Sequence, residues 1–158
     1  MAIDILRDMS NPMPDGFPVD DAVEARDAVV DFWAALAADD DAAVRRLFFP
    51  ASMIRNSLTP DGMAAQLRER LDETADQCRS MAVSNTVRVL PDGAWVFFSK
   101  RSWRPEMIAG PAKVEGHMLV VLRGDAGEWR VWGAPDAEDL AAAKHVALPA
   151  DMQPEGWA

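Results

Sequence analysis

Apolar residues in the first half of the chain recur at helical spacing. Val29, Trp33 and Leu36 fall on one stripe, widened by Val23, Val30 and Phe32, and this predicts a helix. It opens at Asp20 or Asp21, whose carboxylates can accept from free backbone N–H groups and suit the positive helix end. Asp39, Asp40 and Asp41 interrupt the stripe and offer a cap for a second, short helix ending near Phe48, before Pro50. Met53 to Leu58 reads as a short strand. Thr59-Pro60 then supplies a capping hydroxyl and a first-turn proline, and Met63, Leu67 and Leu71 repeat every four residues, predicting a third amphipathic helix.

After Cys78 the period changes. Met81 to Leu90 and Ala94 to Trp103 read as strands joined by the turn Pro91-Asp92-Gly93. Val114 to Arg123 and Glu128 to Gly133 form a second such pair around Gly124-Asp125-Ala126-Gly127. Arg104 to Ala112 is a loop, and Asp136 to His145 a last short helix. Residues 1–19, with Pro12, Pro14, Gly16 and Pro18, read as an extended N-terminal arm. The expected organisation is therefore this arm, a domain over 20–135, and a short helix with a C-terminal tail over 136–158. Helices first and antiparallel strands afterwards is an α+β order, a curved sheet wrapped around the helices.

A length of 158 residues suits one well-cored domain. Asp plus Glu number 26 against 16 for Lys plus Arg, a formal charge of −10. Such a surface repels phosphate backbones and anionic lipid, so neither nucleic acid nor membrane is expected as a partner. Cys78 is the single cysteine, which excludes an internal disulfide and a cysteine-rich metal site. Asp4, Arg7 and Asp8 stand where a signal peptide would need an apolar stretch, and no apolar run approaches a membrane span. A soluble, cytoplasmic protein is expected.

The string from Val29 to Asn56, VVDFWAALAADDDAAVRRLFFPASMIRN, resembles the opening of the nuclear-transport-factor-2-like superfamily. The features that match are Phe32-Trp33 on the first helix, the acidic junction, Leu47-Phe48 closing the second helix, and Gly-Glu-Trp-Arg in the final strand. The resemblance covers roughly Ala22 to Ala134. It implies a cone: three N-terminal helices packed in a strongly bent antiparallel sheet, over an apolar cavity. Relatives of this kind include ketosteroid isomerases, limonene-epoxide-hydrolase-like enzymes and polyketide cyclases.

Strand alternation puts Trp95, Phe97, Ser99 and Arg101 on one face, and Met118, Val120 and Leu122 on another. The resemblance turns both faces inward, adds Arg130 and Trp132, and closes the far side with Phe32 or Trp33 and Ile54. The positions that would carry an isomerase's base, phenol and carboxylic acid are then Asn56, Phe32 and Val120. None of these can do that chemistry, and the chain has no Tyr. Asn56 matches an epoxide hydrolase's water-positioning asparagine, but Val131 stands where a carboxylate base would be needed.

Each candidate also has a plainer role. Asn56 could orient a ligand or cap a strand end. Arg101 could hold a carboxylate or enolate, or be a solvated strand end beside Lys100 and Arg104. His117 groups by alternation with Glu115 and Leu119, which puts it on the outer face. Two potential ligands on one strand make a weak metal site, and no metal is expected. Ser99 lacks an evident His or Asp partner, Cys78 reads as a small buried side chain, and His145 and Trp157 lie in the periphery.

The sequence therefore points to a pocket for a small hydrophobic or amphipathic organic molecule, with no cofactor. Phe32, Trp33, Ile54, Trp95, Phe97, Met118, Val120 and Trp132 would line it, and Asn56, Ser99 and Arg101 would orient the polar end. Two alternatives stand beside it. One is a cyclase, isomerase or dehydratase in which Asn56 and Arg101 are catalytic, stabilising an enolate. The other is a structural module with a filled cone. A homodimer through the outer sheet face is expected in each case.

Overall fold

A strand, three helices, four strands and a short helix follow one another in the computed structural model, which describes residues 3–8, 19–48, 60–89, 94–104, 116–123, 126–133 and 137–142. The first helix, α1 (Val19–Ala37), carries Asp20 and Asp21 in its first turn. It buries Val29, Val30, Phe32, Trp33 and Leu36 completely or nearly so. Asp39 turns the chain with a φ of +54°, a left-handed conformation that a short polar side chain tolerates. Asp40 then caps α2 (Asp41–Leu47), its Oδ1 accepting from the Ala43 N–H at 3.1 Å.

The third helix, α3 (Pro60–Gln77), buries Met63, Leu67 and Leu71 as their spacing predicts. Arg68 ties it to the α1–α2 corner. Its Nε lies 3.0 Å from Asp39 and its Nη2 3.0 Å from Asp41. The chain passes without a loop from Gln77 into the strand β2 (Cys78–Val89), whose first residue, Cys78, is buried.

β2 pairs antiparallel with β3 (Trp95–Trp103), β3 with β4 (Gly116–Arg123), and β4 with β5 (Trp129–Gly133). A short α4 (Ala137–Ala142) follows. Gly127, with φ +87°, turns the chain into β5. The bridge between Phe48 and Val131 brings the end of α2 against the edge of β5.

The sheet differs from the expected antiparallel one at its other edge. Asp4–Asp8, within the stretch read as an arm, is a strand (β1) that pairs parallel with Ser80–Ser84 of β2. The sheet is therefore mixed, in the order β1-β2-β3-β4-β5, and the fold is α+β. Ile3 is buried in the core, and the Arg7 guanidinium meets Asp27 of α1 at 2.7 Å. That hydrogen bond, and then the Asp27 charge, hold the Arg7 pKa above its ordinary value. No helix among the described residues is long and apolar enough to cross a membrane. The expected strand at Met53 to Leu58, the turn at 91–93 and the loop after Arg104 lie outside the described residues.

Candidate functional site: the inner face of β3

β3 reads WVFFSKRSW, so successive side chains alternate between faces and positions 95, 97, 99, 101 and 103 share one. Partners across the sheet identify that face as the inner one. Val83 pairs with Ser99 and Met81 with Arg101, and both apolar partners are completely buried. On the other side Phe97 pairs with Leu119 and Trp95 with Val121, again both completely buried. The expectation that Trp95, Phe97, Ser99 and Arg101 stand together therefore holds.

The expectation for β4 does not. Met118 and Val120 pair with Phe98 and Val96, so alternation puts positions 118 and 120 on the face turned away from Phe97. Ser99 pairs with His117, which brings position 117 to the inner face instead of the outer one. A one-residue slip of register exchanges every residue of a strand between faces, and alternation within β4 alone is consistent with either choice. The exchange carries over into β5, where Leu122 pairs with Arg130 and Arg123 with Trp129. Val120 pairs with Gly133 but Val121 with Val131, leaving Trp132 as the extra residue of a bulge. Trp129 and Val131 are buried, while Arg130 and Trp132 are half-buried. Trp129 and Val131 thus fill the inner positions expected of Trp132 and Arg130.

A larger irregularity lies beside the polar row. Val83 pairs with Ser99 and Val87 with Phe97, so Ser84, Asn85 and Thr86 stand against Phe98 alone. Extra residues of this kind bend a strand and increase its twist. The polar run Ser-Asn-Thr in the middle of the strand is the signal for it in the sequence.

The two ends of the inner face differ. At one end Trp95 and Trp129 pack with centroids 4.6 Å apart and their planes tilted by 40°. Arg123 covers Trp129 at 5.3 Å and reaches Asp21 of α1 at 2.6 Å. That end is tied to the helix layer by a cation–π contact and an ion pair.

At the other end the polar atoms are not satisfied. Ser99 is completely buried, and its Oγ has no hydrogen-bond partner among the described residues. Arg101 is half-buried, its Nε is shielded from solvent without a partner among the described residues, and its guanidinium lies 6.0 Å from the Trp103 ring centroid. Just beyond, Arg104 donates to the Ala75 carbonyl at 3.0 Å and ties the strand end to α3.

Phe32 and Trp33 are completely buried in the core, where Phe32 meets Trp33 and Phe48 edge to face at 6.3 and 4.9 Å. Ile54 and Asn56 lie outside the described residues, as do Glu115, His145 and Trp157. Among the described residues no three His, Cys, Asp or Glu side chains gather to hold a metal. The helical pattern passes over Arg26, a buried cation on α1 with its Nη2 3.8 Å from Asp27. Hydrophobic periodicity scores an arginine as exposed and gives no warning of this.

No protein-family model, curated protein or solved structure matches the chain.

Proposed function

We propose that this chain is a nuclear-transport-factor-2-like protein, a bent sheet closed by its helices into a cone, and that the cone holds a small apolar or amphipathic organic molecule. The Ser99 hydroxyl carries this reading, being completely buried with no hydrogen-bond partner among the described residues. Keeping a hydroxyl in that state costs about 1–3 kcal/mol, and proteins retain such costs mainly where function needs the group. The Arg101 Nε, two residues along the same face, is unpartnered as well. Two neighbouring unmet donors beside Met81 and Val83 make the polar end of an otherwise apolar wall, as in a small-molecule site. The β2 bulge against Phe98 is further support, because bulges recur where a strand is bent to aim side chains at a site.

A different observation favours a second reading. Phe32, Trp33 and Phe97 are completely buried in one continuous core, as expected of a structural module whose cone is filled by its own side chains. Native mass spectrometry of the freshly purified protein separates the two. A discrete extra mass of a few hundred daltons, a drug-sized ligand, released on unfolding, supports the ligand site. A bare chain mass, with no change in tryptophan fluorescence on titration with 2-naphthol to millimolar concentration, refutes it in favour of the filled cone. Analysis of the released molecule for conversion tests the cyclase or isomerase alternative. The same spectrum counts subunits and so tests the proposed homodimer. Val96, on the face turned away from Phe97, is completely buried within one chain, so a second copy would meet a sheet surface already covered at that point.

A further inference from the structure

We infer that the ligand carries a carboxylate, held by the Arg101 guanidinium with the Ser99 hydroxyl beside it; this rests on the reading of the inner face as a small-molecule site. Charge balance is the first ground. Acidic residues outnumber basic ones by 26 to 16, and several arginines elsewhere in the fold take carboxylate partners. Arg7 meets Asp27, Arg68 meets Asp39 and Asp41, Arg123 meets Asp21, and Arg130 meets Glu128. Arg101, half-buried on the inner face, has only the Trp103 ring and no carboxylate partner among the described residues. A cation withdrawn from water without a counter-charge is costly, and an incoming anion would remove that cost.

The geometry supplies the second ground. A guanidinium resting on an aromatic ring keeps its planar edge of N–H donors available, and that edge matches a carboxylate in bidentate fashion. The unpartnered Nε belongs to that edge. Positions 99 and 101 lie about 6.6 Å apart along a strand, which leaves room for one carboxylate to accept from both side chains. Phe97, Met81 and Val83 make the surroundings of the pair apolar.

The test compares acids with their neutral esters. Binding of 2-naphthoate and of decanoate is measured calorimetrically against methyl 2-naphthoate and methyl decanoate, on the full chain at low ionic strength. At least one acid is expected to bind tenfold or more tightly than its ester. Arg101→Gln should abolish that preference by weakening the acid and leaving the ester unchanged. Arg101→Lys, which keeps the charge without the fork, should recover only part of it. Equal binding of acids and esters to the unaltered protein overturns the carboxylate while the small-molecule site stands. Binding of none of the four overturns both. If Arg101→Gln does not fold, by its circular dichroism, Arg101→Lys and the acid–ester ratio of the unaltered protein decide the matter.

Discussion

Replacing Ser99 by alanine should stabilise the protein, although the residue is completely buried and the substitution removes an atom from the core. The Oγ has no partner among the described residues, so its removal relieves a desolvation cost of about 1–3 kcal/mol. Against this stand the few dispersion contacts of one oxygen at about 0.1–0.2 kcal/mol each, less than ~1 kcal/mol in sum. The net gain is about 1 kcal/mol, or roughly 2–4 °C in Tm for a chain of this size. Urea unfolding followed by tryptophan fluorescence and by far-ultraviolet circular dichroism is the assay. The midpoint should rise by about 0.5 M with an unchanged slope, for a slope of about 2 kcal/mol per molar. The same variant should bind a ligand more weakly, so stability and binding would move in opposite directions, as at a site kept for function. A fall in the midpoint of similar size would refute the reasoning, because it would mean that the hydroxyl is satisfied in the ligand-free protein.

Phe97→Ala empties a completely buried position at the centre of the sheet and should cost about 3–5 kcal/mol, read as a lowered urea midpoint. Asp40→Ala removes the oxygen that accepts from the Ala43 N–H and should cost about 1 kcal/mol, visible in the same assay. Ile3→Ala should cost about 2 kcal/mol or more because Ile3 is buried in the core. Leu6→Ala, at a side chain 49% exposed on the same segment, should stay within about 0.5 kcal/mol. Equal losses at Ile3 and Leu6 would contradict the docking of β1.

The helices were legible because their signals are local. The spacing of Val29, Trp33 and Leu36, and of Met63, Leu67 and Leu71, identifies the buried faces of α1 and α3, since a period of 3.6 needs only neighbouring residues to express itself. Asp40 and Pro60 mark helix starts for equally local reasons. The inner row of β3 was readable too, because alternation over nine residues leaves one apolar face to bury. Phe97, Ser99 and Arg101 share the face on which alternation puts them.

Long-range pairing settled the rest. Positions 117, 118 and 120 changed faces because alternation within one strand is equally consistent with either register against its neighbour. Arg130 and Trp132 gave way to Trp129 and Val131 because β5 is registered on β4 through Val121–Val131 and Leu122–Arg130, so the exchange of faces in β4 carries over to it. β1 was hidden for a related reason. Asp4–Asp8 reads DILRD, too short and too polar for a strand signal, and becomes one through a parallel partner far along the chain and the Arg7–Asp27 contact with α1. Local spacing settles which residues form an element and which stripe of it is apolar. The unmet donors of Ser99 and Arg101 exist only once distant strands and helices have packed, because a polar atom lacks a partner only in relation to everything folded around it.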